Sequence, residues 1–410
     1  MTRLLGLALL LSASATAHAR DWPQWMGPQR DGLTSETGLL KEWPEGGPKR
    51  VWLNREVGLG YSGPAIADGK LYTLGSRDGV EQLIALDADT GDELWAVDLG
   101  QEYENDWGNG PRNTPTVDDG RVYALAARGA LVCVSADSGD PIWKKQLQDF
   151  GGETPNWGYA ESPLVDDGRV VVTPGGEKGA ILALDKLTGE RIWQAEELTP
   201  IAHYSSIVVG SPNGQKQYIQ LLQDQLVGVA PDSGELLWSV PWPGRVAVIP
   251  TPLVEGNRVY ATTAYGIGCM LVEIAPDNTP EVVYENKVIK NKHGGVILLD
   301  GHVYGHSDGA GWVCQDFDTG ELVWRERSAL DAGSLGYADE RLYLLSEDGG
   351  EVVLLEPSPK EWIEKGRFTL EPQTDLRKPK GKIWVHPVIA NGKLYLRDQE
   401  LLFCFDVSAE

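Results

Sequence analysis

The 410-residue chain lacks several things from which common functions are built. It has 36 lysines and arginines against 60 acidic residues, a net charge of -24, and a field of that sign repels phosphate backbones, so nucleic acid is not an expected partner. Past the first nineteen residues no apolar run approaches the ~20 residues a spanning helix needs, so no membrane span is expected. Cysteines number four and no two are adjacent. No G-x-S-x-G, H-E-x-x-H or P-loop pattern occurs, so the sequence assigns no catalytic residue and no metal ligand set.

What is present begins with a leader. Arg3 precedes the apolar run "LLGLALLL" (4–11), and small residues follow, ending in Ala17-His18-Ala19. This pattern predicts a secretory signal over residues 1–19 with an A-x-A cleavage site. No cysteine near that site could carry a lipid. The expected product is exported, periplasmic or secreted, soluble, and begins near Arg20.

Repetition dominates the rest. "ALDADTGDELW" (85–95) returns as "CVSADSGDPIW" (133–143), "ALDKLTGERIW" (183–193), "GVAPDSGELLW" (228–238) and "CQDFDTGELVW" (314–324). A second phrase precedes it, as in "PAIADGKLY" (64–72), "PTVDDGRVY" (115–123) and "PVIANGKLY" (387–395). Apolar alternation around Asp-Gly or Asn-Gly predicts a tight hairpin, because those residues tolerate positive φ. A third strand, the Thr-Gly turn and a Trp-bearing fourth strand complete each unit, and four strands at a period of about 40 to 50 residues make a propeller blade.

Taking the residue that closes each hairpin as the register gives Tyr72, Tyr123, Val171, Tyr218, Tyr260, Tyr304, Tyr343 and Tyr395, hence eight blades. The eighth ends before its own Trp strand, whereas "KRVWLNREV" (49–57) has a Trp strand with no hairpin before it. Joining them closes the ring and removes an exposed sheet edge. The prediction is all-β: residues 20–48 form an N-terminal extension, and 49–410 form one eight-bladed propeller of four-stranded antiparallel blades. Blades five ("IAPDNTPEVVYEN") and seven ("LEPSPKEWIEKG") have lost the Thr-Gly and Trp signature. Cys133, Cys314 and Cys404 fall in the slot that Ala85 and Ala183 fill elsewhere. In separate blades they would stand too far apart for the roughly 4.4 to 6.8 Å Cα spacing of a disulfide, so buried free thiols are expected.

"LDADTGDELW" resembles the AxDxxTGxxxW repeat of the PQQ-like β-propeller superfamily, and the likeness covers essentially residues 49–410. "DWPQWMGPQRDG", "WGNGPRNTP" and "NWGYAESPLV" also resemble a group of exported bacterial PQQ-like repeat proteins. The superfamily contains quinoprotein alcohol dehydrogenases and the non-enzymatic lipoprotein of outer-membrane protein assembly. The resemblance implies that Trp52, Trp95, Trp143, Trp193, Trp238 and Trp324 dock between neighbouring blades onto the Thr-Gly turn. For a dehydrogenase it implies PQQ clamped between a Trp and a disulfide of adjacent cysteines, with Ca²⁺ held by carboxylate and amide oxygens and an Asp as base.

In a propeller the loops joining one blade's outer strand to the next blade's inner strand gather over the central channel. Here they carry Trp107, Arg112, Trp157, Tyr159, Glu161, His203, Tyr204, Arg245, Lys292 and His293. Aromatic bodies with convergent charged groups describe a ligand pocket, and the competing reading is that they plug the loops against one another. A planar or sugar-like ligand suits them better than a long acidic one. His203, His293 and His386, on blades four, six and eight, are not expected to share a metal. Asp87 and Asp89 mimic a calcium loop but supply too few oxygens. The functional expectation is a monomeric, non-catalytic binding or assembly scaffold, with a protein partner or a small-molecule or polymer ligand at the channel face. The alternative is a PQQ-dependent alcohol dehydrogenase with Ca²⁺.

Overall fold

The hairpins form where the Asp-Gly and Asn-Gly pairs stand. Ala67 lies opposite Lys70 and Ala390 opposite Lys393, leaving Asp68-Gly69 and Asn391-Gly392 as two-residue turns. All four turn residues have positive φ, between 50° and 74°, as the tight turns that match strand twist require. In the computed structural model, which describes residues 21–409, eight inner hairpins extend into eight sheets arranged as a ring, blade four's hairpin having a longer connection over 211–216 and blade seven's an Asp339-Glu340 turn. The leader expected at residues 1–19 lies outside the described residues. All eight register residues fall on the second strand of a blade. The outer strand of blade eight is Lys49–Asn54, paired antiparallel with Leu401–Asp406, so the ring closes as expected.

The face carrying the loops between blades is called upper here; the inner hairpins and Thr-Gly turns lie on the lower face. The lower turns explain the repeat. Asp87 Oδ1 accepts the backbone N–H groups of Asp89 and Thr90, each at 2.9 Å, so this carboxylate is a turn-former rather than a calcium ligand. A Cβ on Gly91 would stand 2.7 Å from the ring of Trp52, and one on Gly139 would stand 2.8 Å from Trp95. Each turn glycine thus leaves room for the indole of the preceding blade. Those indoles also donate: Trp52 to Ala88 O, Trp95 to Ala136 O, Trp143 to Lys186 O, Trp193 to Pro231 O and Trp324 to Ser358 O.

Trp238 departs from this pattern. It packs between blades four and five, but its N–H donates to Gln217 Oε1 of its own blade at 2.6 Å. Blade five's turn has lost the Thr-Gly pair, and Gln217 bridges the gap by donating to Asn278 Oδ1 at 2.9 Å. Blade five in turn presents Tyr284 in place of a Trp, and its hydroxyl donates to Phe317 O on the next turn at 2.9 Å. In blade seven the Trp register position holds Gly366, opposite Leu354. The space is filled from elsewhere. Trp43 of the N-terminal extension lies over Gly366, its backbone N–H bonded to Lys365 O at 2.9 Å and its ring 5.9 Å from Tyr343. The corresponding Trp95–Tyr72 and Trp143–Tyr123 separations are 5.8 and 6.0 Å.

The extension does more than supply Trp43. Blade seven gains a fifth, parallel strand, Leu33–Thr34, on its innermost edge. Residues 21–34 therefore lie in the axial channel, where they touch all eight blades. Trp22 exchanges both backbone bonds with Ile66 of blade one, and Val117 of blade two donates to Pro23 O. Arg30 reaches blades three and four, and Trp25 donates to Thr251 of blade five at 2.9 Å. Gly32 abuts Ile297 of blade six and accepts from Tyr337 of blade seven, while the Trp25 ring meets His386 of blade eight edge-on at 4.6 Å. No helix among the described residues is long and apolar enough to cross a membrane.

Candidate functional site

The axis of the ring is occupied by protein, and a buried arginine anchors it. Arg30, 2% exposed, donates to Ile207 O at 2.8 Å, Ser162 O at 3.1 Å, Pro163 O and Gln24 Oε1. Glu161 lies within electrostatic reach, 1% exposed, and accepts from the Thr173 backbone N–H at 2.7 Å and from its hydroxyl at 3.1 Å. Burial pushes the Glu161 carboxyl up to about 8, against the lowering by Thr173 and the Arg30 charge. Tyr159, 1% exposed, sits in the packing between blades two and three and donates to Pro174 O at 3.2 Å. Neither Glu161 nor Tyr159 reaches the upper face.

Above this plug the loops form a rim. Tyr61 donates to Trp107 O at 2.7 Å, and its ring lies 5.0 Å from Trp384. Trp107 is 37% exposed, 6.2 Å from Trp384, with the Lys380 ammonium 5.9 Å from its ring. Arg112 fastens its own loop, donating to Gly110 O and Gly108 O at 2.6 and 2.7 Å, with Tyr61 and Tyr103 against its guanidinium at 5.6 and 5.2 Å. Tyr103 ties that loop to the next by donating to Asn156 O at 2.7 Å. Half-buried Trp157 packs edge-on to Tyr204 at 5.8 Å, and His203 lies beside Tyr204. Arg245 is exposed at the blade four to five connection.

A further polar group on the rim joins the blade five to six loop with the blade seven to eight loop. His293 Nε2 stands 3.1 Å from Glu347 Oε2, and the Trp384 indole N–H donates to the same oxygen at 3.1 Å. Burial would raise the Glu347 carboxyl, but the His293 contact and charge, Lys292 and Trp384 outweigh it and bring it down to about 2. His386 Nε2 lies 3.0 Å from His293 O, and burial lowers His386 to about 4. His293 and His386 are thus brought together, although their blades stand a quarter turn apart. The long connection into blade eight folds over the mouth to make the contact.

The structure gathers Trp107, Arg112, Lys292 and His293 with Tyr61, Trp384 and Glu347, which the sequence reading missed, and groups Trp157 with His203 and Tyr204. Tyr61 and Trp384 flank the propeller strands in "GYSGP" and "KIWVHP", where nothing in the repeat marks them. The plug had a signal: Trp22, Trp25 and Trp43 are dense for an unpacked extension.

The quinone and Ca²⁺ arrangement implied by likeness to dehydrogenases does not fit these residues. Cys133, Cys269, Cys314 and Cys404 are free and buried singly, in blades two, five, six and eight. Among the described residues no three His, Cys, Asp or Glu side chains gather closely enough to hold a metal ion.

A family model described as outer membrane protein assembly factor BamB matches residues 41–128 and 80–326. No curated protein matches the chain by sequence. Among solved structures, BamB from Moraxella catarrhalis is similar at 15% identity and a TM-score of 0.61, covering 88% of this chain and 99% of that one. A quinohemoprotein alcohol dehydrogenase from Comamonas testosteroni is similar at 13% identity and a TM-score of 0.63, covering 96% and 82%. The computationally designed Ika8 protein is similar at 12% identity and a TM-score of 0.61, covering 88% and 100%. At such identities the likeness is one of fold, and the fold hosts an assembly factor, a dehydrogenase and a design alike.

Proposed function

Since the chain belongs to the propeller family described as outer membrane protein assembly factor BamB, we propose that it is an exported, non-catalytic scaffold that holds a protein partner on its upper rim. The observation that carries this reading is the plug. Residues 21–34 fill the axis with hydrogen-bonded chain, so recognition is left to the loops above it. Those loops offer Trp107 and the charged groups around Glu347 as a surface fixed by buried partners, a form suited to docking. Export rests on the leader expected over residues 1–19.

Two measurements on the full exported chain test the reading. Supplied with PQQ and Ca²⁺, the protein should reduce no dye in response to alcohols above a PQQ-free control; PQQ-dependent turnover would overturn the scaffold reading in favour of a dehydrogenase. A photo-crosslinking residue at position 107 should trap a discrete protein in the host, whereas one at position 187, on the lower face, should not. Equal trapping at both positions, or none at 107, would contradict a specific upper contact.

A further inference from the structure

Resting on the reading of the upper rim as a contact face, we infer that one side of it is a cationic lip for a short acidic segment of a protein partner. Two stretches make the lip: 287–293 ("KVIKNKH") and 376–386 ("LRKPKGKIWVH"). Together these 18 residues hold Lys287, Lys290, Lys292, Arg377, Lys378, Lys380 and Lys382, seven of the chain's 36 lysines and arginines, and no acidic residue. On a chain of net charge -24 this is a local reversal of sign.

The fold brings the two stretches together. Glu347 lies between them, 3.1 Å from His293 of the first and bonded to Trp384 of the second, and His386 meets the backbone of His293. Part of the charge is already answered: Arg377 pairs with buried Asp398, Lys380 with Asp106, and Lys382 with Asp348. Lys287 and Lys378 are exposed, and neither side chain makes an ion pair or a hydrogen bond among the described residues. The lip runs into the aromatic ledge through Lys380 and Trp107, and exposed Leu376 adds an apolar edge.

This chemistry favours a short acidic peptide with interspersed apolar side chains. Screening limits each charge to about 8 to 10 Å, so the lip governs a segment lying on it even though the whole molecule repels a long polyanion. A lipid surface fits less well, because the apolar element is a ledge whose members Tyr61 and Trp384 are largely enclosed by the loops.

The test uses the full exported chain and a fluorescent, end-blocked peptide of alternating glutamate and leucine, followed by anisotropy. Saturable binding is expected, and it should weaken steeply as salt rises from about 50 to about 300 mM. The same peptide with lysine for glutamate should not bind. Lys378→Gln/Lys380→Gln/Lys382→Gln should weaken binding about tenfold or more, and Lys287→Glu/Lys378→Glu, which breaks no ion pair, should do the same with unchanged melting. A lower-face control, Lys49→Glu/Lys360→Glu, should stay within about twofold. Absence of saturable binding at low salt, binding untouched by the lip variants, or capture by phosphatidylglycerol vesicles in place of the peptide would overturn the proposal. If the peptide fails while position 107 still traps a protein, the acidic partner is wrong and the scaffold reading stands. PQQ-dependent turnover would remove both.

Discussion

Trp43→Ala should destabilise the protein by about 3 to 5 kcal/mol, the range for truncating a large aromatic in a packed site. Trp43 is 7% exposed and belongs to a cluster with Leu39, Tyr343, Leu370, Phe405 and Val407. Its ring lies 5.9 Å from Tyr343 and 5.3 Å from Phe368. Gly366 beneath it has no side chain that could refill the gap. A second substitution separates burial from hydrogen bonding. The Trp43 indole nitrogen has no hydrogen-bond partner, whereas that of Trp324 donates to Ser358 O at 2.7 Å. Trp43→Phe therefore keeps most of the buried ring and removes an unpaired donor, and should lose under about 1.5 kcal/mol. Trp324→Phe should lose about 1 kcal/mol more than Trp43→Phe, because it strands a carbonyl. Urea unfolding followed by far-UV circular dichroism measures each difference, read from midpoints at constant slope. A Trp43→Ala loss under about 1 kcal/mol, or a phenylalanine variant as unstable as the alanine one, would refute the argument that the extension supplies blade seven's missing tryptophan.

Other consequences can be measured on the same protein. Arg30→Met should cost about 3 to 5 kcal/mol, since it strands the carbonyls of Ser162, Pro163 and Ile207 and removes the positive charge facing Glu161; a urea midpoint shows it. Gly139→Ala, at φ 75° with a Cβ 2.8 Å from Trp95, should cost about 2 to 4 kcal/mol and quicken proteolysis at that blade junction. Burial holds His203 and His386 near 4, so between that value and the ordinary histidine value of about 6.5 the unfolded chain binds more protons. The contribution of these two histidines should be level above about pH 6.5 and fall by roughly 3 kcal/mol per histidine as pH drops to about 4, with His386→Asn removing its share. The four cysteines are buried, and burial raises Cys133 and Cys314 to about 11 and Cys404 to about 12, so none should react with a thiol reagent until the protein is denatured, when all four should.

The blades were legible because each is specified locally. An Asp-Gly pair sets the hairpin, a small residue such as Ala85 or Cys133 sets the third strand, and a Thr-Gly turn receives the preceding indole. Where the local code lapses, long-range contacts take over, and these leave little trace in the repeat. Trp238 turns to Gln217 because the turn it faces has changed, and blade seven borrows Trp43 from more than three hundred positions upstream. The tryptophans of the extension hinted that it packs, but where it packs was not legible for the same reason: Arg30 is satisfied by carbonyls of blades three and four, and nothing local to "MGPQRDG" announces them. On the rim, sequence reasoning found loop aromatics and charges but could not sort anchors from surface. Glu161 and Tyr159 look like neighbours of Trp157 in sequence, yet they point into blade packing, while Glu347 joins the rim from a hairpin that carries no motif.

The chain's own residues 21–34 fill the axis, and amide hydrogen exchange read by mass spectrometry tests that most directly. The backbone N–H groups of Trp22, Gly27, Arg30 and Gly32 are bonded to Ile66, Gln24, Gly27 and Met26 carbonyls inside the ring. Peptides spanning 21–34 should therefore retain slowly exchanging amides on the timescale of the inner strands, and lose that protection in Arg30→Met. Complete exchange of the segment within seconds, while the blades stay protected, would mean an open channel and would contradict the scaffold reading at its base.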